Sequence, residues 1–464
     1  MADGGKQNAI AMPPTLKLGW LDRRFPMLRL DRLEFLTAQS KLGDITHFRA
    51  GPFTVYFINH PDLIRDVLVV NADKFIKGRA LQRSKTMLGE GLLTSEGSFH
   101  LRQRRMIQPA FHRTRIAEYT RSMTHFADAM SENWRDGETL DIDREMMRLT
   151  LQIVAKTLFD ADVTKDADDV GHSLTTLVEM FNLLLLPYSE ILEKLPLPHS
   201  IKLKRARKTL DRIIYGMIDE RRASGEDKGD LLSMLLAARD EEDGGQMSNE
   251  QVRDEALTLF LAGHETTAVA LTWTWYSLSQ NPDAEAKFHA EIDALLSVPH
   301  AVAGGDRSLR IPTIDDLPNL KYTEQVLAES MRLFPPAWAV GRQAVEDHEL
   351  GGFRIAKGST VLMSPYVLQH DARFWEDADK FIPERWETHS VKEAGNRNIY
   401  FPFGGGIRRC IGESFAWSEG ILVLATMARR WKLRLDPEQK IGTRSLITLR
   451  PKFGMRMQCQ NRDR

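Results

Sequence analysis

The chain has 464 residues, 42% hydrophobic and 27% charged, which is enough apolar material for a large core and excludes a disordered or fibrous chain. A net charge of -1 and a pI near 6.9 give no global electrostatic reason to bind nucleic acid or an anionic membrane surface. The two cysteines, Cys410 and Cys459, are too few for a disulfide framework or a zinc site of paired thiols, so a cysteine that does chemistry here acts alone.

The stretch Met1 to Leu18 is polar, carries Pro13 and Pro14 and has no apolar run. A flexible N-terminus without signal peptide or anchor helix is expected there, and with it a cytoplasmic location. Ile45 to Arg49 and Phe53 to Ile58 are β-rich runs around Ala50-Gly51-Pro52 and predict a hairpin. Pro61 then opens an amphipathic helix that runs to Leu68. From about residue 98 to 296 the apolar spacing is mostly helical. The polar stretches Arg222 to Asp230 and Arg239 to Gln246 interrupt it, but they are too short to be domain linkers. Strand signals return from Phe353 to Met363, around the turn Ala356-Lys357-Gly358-Ser359, and again from Lys432 to Met457. No repeat is visible. These elements predict one domain over residues 1–464, mainly α with a smaller β-rich region, and a monomer.

Three segments stand out chemically. Ser248 and Gln251 form a capping-box signature, and the apolar pattern that follows runs to Gln280, where Asn281-Pro282 ends it. At about 1.5 Å per residue this predicts a helix roughly 48 Å long, buried where Ala268 to Leu278 is apolar nearly all round. Inside it, Ala262-Gly263-His264-Glu265-Thr266-Thr267 concentrates local penalties. Glycine costs about 1 kcal/mol against alanine in a helix, and a buried carboxylate is expensive unless paired. A membrane span would not carry His264 and Glu265 without flanking anchors. The functional reading uses Gly263 to admit a flat ligand to the backbone, and an acid beside an alcohol to pass protons.

Glu329 and Arg332 lie three apart on a helix that Pro335-Pro336 terminates, so they share a face and can pair. Alone, such spacing more often marks a solvated surface pair. The strongest signal is Phe401-Pro402-Phe403-Gly404-Gly405-Gly406-Ile407-Arg408-Arg409-Cys410-Ile411-Gly412-Glu413. Three glycines bring the chain close to a flat ligand, and Cys410 precedes an apolar helix, Phe415 to Ala428, whose dipole and N–H groups would favour a thiolate. Arg408 is placed to pair with an anionic group on the same ligand. A dinucleotide fingerprint fails because Arg409 stands where its third glycine belongs. A free buried cysteine does not explain the glycines, Arg408 and Phe403 together.

These residues resemble the cytochrome P-450 family. Phe403, Gly406, Arg408, Cys410 and Gly412 match its haem-binding signature, and residues 262–267 its oxygen-activating helix motif. Glu329 and Arg332 match its acid-arginine pair, and Pro383-Glu384-Arg385-Trp386 the segment whose arginine joins that pair. Gly97 to His112, with Arg104, Arg105, Pro109 and Phe111, extends the match to most of the chain. The resemblance implies a triangular helical body around haem b, with Cys410 as the axial thiolate, O2 as co-substrate and a monooxygenase reaction on an apolar molecule such as a fatty acid or terpenoid. It implies that Glu265 and Thr266 deliver protons, that Ala262 and Gly263 border the haem, and that Glu329, Arg332 and Arg385 are structural. Propionate cations would come from Arg408, Arg342, Arg104 and His100, the last at a position where the family often has tryptophan.

No flavin or nicotinamide fingerprint is present, so electrons from NAD(P)H are expected through a ferredoxin or flavodoxin with its reductase. Arg102, Arg105, Arg113, Arg115 and Arg409 are the expected basic docking face, with a solvated basic helix as the alternative. Leu81, Met87, Leu88, Leu92, Leu93, Ala337, Trp338 and Val340 are the expected substrate lining, with hydrophobic core as the competing reading of each. A peroxide-driven enzyme on the same fold would not need Glu265 and Thr266. A haem-thiolate sensor would need neither that pair nor a roomy apolar pocket. Cys459 receives no role.

Overall fold

A computed structural model describes residues 12–19, 30–160, 167–184, 195, 197–240, 244–297 and 309–462. Gly51 at φ 63° turns the chain between strand β1, Ile45–Ala50, and strand β2, Phe53–Ile58, which pair antiparallel as the sequence predicts. Helix α1, Arg32–Ser40, precedes them, its N-cap Asp31 accepting from Leu33 N and Glu34 N. The flexible N-terminus is corrected over residues 12–18. Pro14 O accepts from His47 N on β1 at 2.9 Å, Pro13 O meets His47 Nδ1 at 2.7 Å, and Leu16 and Leu18 pack beside Phe48 and Phe57. Residues 1–11 lie outside the described residues. Pro61 does open a helix, but after Arg65 the chain widens into a π turn, Asp66–Val70.

The sheet holding β1 and β2 is completed by β3, Phe75–Lys77, and by two strands from far along the chain, β5, Val340–Ala344, and β8, Thr360–Met363, in the order β1-β2-β8-β5-β3. Smaller units are a hairpin of β6, His348–Leu350, with β7, Phe353–Ile355, and a sheet of β4, Thr139–Asp141, with β9, Trp431–Leu435, and β12, Arg456–Asn461. A second hairpin pairs β10, Thr443–Ser445, with β11, Leu449–Pro451.

The helical body is built from α2, Gly97–Ile107; α3, Arg113–Glu132; α4, Ile142–Phe159; α5, Ala167–Leu184; α6, Pro198–Ser224; α7, Asn249–Gln280; α8, Pro282–Leu296; α9, Lys321–Leu333; and α10, Glu413–Ala428. Helix α7 is the 32-residue helix that the sequence predicts, with both hydrogen bonds of its capping box formed. It packs against α4, α6, α9 and α10, which explains why residues 268–275 are buried all round. Trp273 on α7 stacks on Phe334 with ring centroids 4.2 Å apart and donates to Leu449 O at 2.7 Å, tying β11 across the helix.

Candidate active site

The cysteine loop is shaped by close approach. A Cβ on Gly406, which has φ 64°, would lie 1.9 Å from Leu68 O in the π turn, so only glycine lets the loop rest there. Cys410 N donates to Phe403 O at 3.0 Å, and Gly412 caps α10. Cys410 is exposed as a residue. Burial nevertheless pushes its pKa up to about 11, outweighing the Gly412 N–H and the nearby Arg104 and Arg409. The sequence favoured a thiolate held by the helix dipole, but burial wins. The thiol therefore keeps its proton at neutral pH until a bound cation displaces it, the behaviour of a metal ligand. Cys459 is buried on β12, and burial pushes its pKa up to about 12.

The middle of α7 shows the same kind of surface. Ala262 is exposed and Gly263 and Thr266 are half-buried, on a helix whose flanking residues are buried. Thr266 Oγ1 donates back to Ala262 O at 2.6 Å. Glu265 turns the other way. Its Oε1 accepts from Thr448 Oγ1 at 2.5 Å and lies 3.4 Å from Arg450 Nε, so the acid and the alcohol are not hydrogen-bonded to each other. Burial raises the Glu265 pKa against the opposing pull of Arg450 and Thr448. His264 is buried, bonds Phe260 O at 2.8 Å and is held down to about 4 by burial, so it is neutral and structural.

A cluster of cations lies around Arg408. Cross-strand register sets Lys77 on β3 opposite Arg342 on β5, two like charges face to face. Burial and then Arg408 hold Lys77 down to about 7 and Arg342 to about 10, and burial, Arg408, Lys77 and Arg104 hold His100 to about 3. Arg408 pairs with Glu96 and donates to Ser95 O at 2.9 Å. His100 Nε2, buried, has no hydrogen-bond partner among the described residues. Such an excess of positive charge fits a ligand carrying carboxylates, as the two propionates of a haem would. Arg104 turns toward the cysteine loop instead, donating to Arg409 O at 2.8 Å. Lys77 was missed from the sequence, where its one signal is a lysine two residues from Phe75 in a short apolar strand.

Glu329 and Arg332, both 0% exposed, form no surface pair. Arg332 Nε and Nη2 each reach a Glu329 oxygen at 2.9 Å, while Arg385 Nε at 2.9 Å, Ile382 N at 3.0 Å and Trp386 Nε1 at 3.1 Å complete the carboxylate's partners.

The cytochrome P-450 family model matches residues 25–455. The chain is 42% identical over 420 residues, 90% of its length and 89% of the relative's, to a cyclooctatin synthase of Streptomyces melanosporofaciens. It is 39% identical over 407 residues, 87% and 86% of the two chains, to a cyclooctat-9-en-7-ol 5-monooxygenase of the same organism. A pentalenene oxygenase of Streptomyces avermitilis is 35% identical over 420 residues, 90% of each chain. The chain belongs to the cytochrome P-450 family.

As a cytochrome P-450 it is a haem-thiolate monooxygenase, using haem b, O2 and electrons that come from NAD(P)H through a redox partner. No helix among the described residues is long and apolar enough to cross a membrane. Four of the five arginines expected as a docking face carry counter-charges. Arg102 and Arg105 share buried Asp240, at 2.9 and 3.4 Å, Arg115 pairs with Glu118 at 3.0 Å, and Arg409 with Glu413 at 2.5 Å. Arg113 alone of the five has no ion pair among the described residues, while Ile407 and Leu101 are exposed beside the cysteine loop. Trp338 is a core residue rather than pocket lining, packed with Phe35, Phe57 and Leu449 and donating to Leu446 O at 2.9 Å. Met87, Leu88 and Leu92 are buried, and Leu81, Leu93, Ala337 and Val340 are half-buried.

Proposed function

We propose that this cytochrome P-450 oxidises a cyclic terpenoid, hydroxylating or epoxidising it, with Cys410 as the residue that would hold its haem iron. The observation that carries the assignment of the ligand is Cys410, an exposed residue at the end of the glycine loop and two residues from Arg408, whose cation cluster exceeds its counter-charge. When bound, a thiolate-ligated haem supplies the iron chemistry that activates dioxygen. Arg408, Arg342, His100 and Lys77 hold its propionates, with Arg104 steadying the cysteine loop. Phe403, Gly406, Gly412, Ala262 and Gly263 border the ring. Thr266 would hold a proton on Oγ1, and Glu265, whose carboxyl burial pushes toward the protonated form, would replenish it after turning from Thr448. Leu81, Met87, Leu88, Leu92, Leu93, Ala337 and Val340 line the substrate side and exclude water.

The relatives' names favour a terpenoid over a fatty acid: one acts on cyclooctat-9-en-7-ol and another on pentalenene. We further propose one haem domain over residues 1–464, a monomer in the cytoplasm, reduced by a ferredoxin or flavodoxin. That partner would meet Arg113 and the apolar Ile407 and Leu101 rather than a broad basic face. Spectral titration of the ferric protein tests the substrate class. Cyclic terpene alcohols and olefins should displace the water-bound low-spin spectrum at micromolar concentrations while linear fatty acids do not. A shift with fatty acids alone would reverse the assignment.

A further inference from the structure

Two adjacent acids on α7, Asp254 and Glu255, reach across to the segment that runs ahead of α2. Asp254 Oδ2 accepts from Glu90 N at 2.7 Å, and Glu255 Oε2 accepts from Leu92 N at 2.8 Å. Lys77 Nζ donates to Leu92 O at 2.6 Å, so the Leu92 peptide is held on both sides. Thr94 Oγ1 closes the segment on itself through Gly89 O at 2.6 Å. The chain is built to lie this close. A Cβ on Gly89 would sit 2.1 Å from the Asp254 carboxylate, and one on Gly91 would sit 2.3 Å from Thr258 Oγ1 and 2.6 Å from Asp254 O.

Adjacent helix residues point about 100° apart, so engaging both i and i+1 requires the loop to cross the helix rather than run along one face. Asp254 is itself fixed, accepting from Arg253 Nη1 at 2.8 Å, and Arg253 Nε reaches Asp211 on α6 at 2.7 Å. Glu255 is 0% exposed and its contact with Leu92 N is buried, whereas the Asp254 contact with Glu90 N is part-buried.

We infer that Asp254 and Glu255 are positioning residues that clamp residues 89–93 onto α7 and thereby set which carbon of the substrate is oxidised. The inference rests on the proposed function in placing Leu92 and Leu93 on the substrate side. With the loop fixed by its own peptide groups, the two leucines form a rigid wall, and a wall displaced by an ångström presents a different carbon to the reacting centre. Through Lys77 the same clamp touches the cation cluster, so a bound propionate and the substrate wall share one anchor.

Two variants move the loop from opposite sides. Glu255→Leu removes the acceptor for Leu92 N, and Gly91→Ala leaves both carboxylates in place but drives a methyl into Thr258 and the helix backbone. In purified holoprotein, hydrogen exchange at the Glu90 and Leu92 amides should quicken at least tenfold in each variant. The ratio of oxidation products from the compound identified by spectral titration should shift in both. Wild-type exchange in the variants would overturn the clamp whatever the substrate turns out to be. Faster exchange with an unchanged product ratio would overturn the positioning role while leaving the monooxygenase assignment intact.

Discussion

Arg332 is a residue outside the proposed haem-binding set at which removing one side chain should cost a great deal of stability. It makes five hydrogen bonds, two to Glu329 and one each to Gln369 O, Ala378 O and Lys380 O, all between 2.7 and 2.9 Å, with neither Arg332 nor Glu329 exposed. Breaking a buried ion pair from one side costs about 3–5 kcal/mol, and each buried carbonyl left without a donor about 1–3 kcal/mol. These terms are not additive, yet together they rival the about 5–15 kcal/mol that holds a typical native state together. Arg332→Ala should therefore yield little folded protein. Arg332→Lys is the measurable variant, because an ammonium keeps the charge but not the planar fork and satisfies only some of the five acceptors. A loss of about 3 kcal/mol is expected, lowering the melting midpoint by roughly 3 °C for a chain of this size. Thermal unfolding of the holoprotein, followed by circular dichroism beside haem content, measures it. A loss below about 1 kcal/mol would refute the reasoning that this pair is a buried structural hub.

Thr266→Ala should leave substrate binding nearly unchanged but divert electrons from product to hydrogen peroxide; peroxide yield per NAD(P)H is the measure, and unchanged coupling would rule out the proton relay. Glu419 on α10 is buried against Thr267, and burial pushes its pKa up to about 8. A carboxyl with a raised folded pKa binds more protons folded than unfolded between about 4.5 and 8, so stability falls as pH rises through that window, by up to about 1.4 kcal/mol per unit. Glu419→Gln should flatten that fall in denaturant midpoints measured from pH 5 to 8.5.

Much of the site was legible because its signals are local. The capping box at Ser248 and the Asn281-Pro282 stop bounded α7 correctly, and the glycine run marked the loop around Cys410 because Gly406 must lie against Leu68 O. What was not legible depends on contacts distant in sequence. Lys77 becomes a propionate candidate only through its register with Arg342, and Glu265 finds Thr448 and Arg450 only because β11 crosses α7. The counter-charges of the basic helix were illegible for the same reason, since buried Asp240 takes two of its arginines. Trp338 turns its side chain into a core with Phe35, Phe57 and Leu449, contacts distant in sequence. The polar N-terminal stretch looked free because nothing in it shows that His47 would bind its carbonyls.

The assignment of Cys410 is tested most directly by the absorption spectrum of the reduced protein under carbon monoxide, for the wild type beside Cys410→Ser. The wild type should show the red-shifted Soret band that gives the family its name, and the variant should lose it while retaining some haem through Lys77, His100, Arg342 and Arg408. A wild type that binds haem without that band, or a variant that keeps it, would contradict thiolate ligation by Cys410.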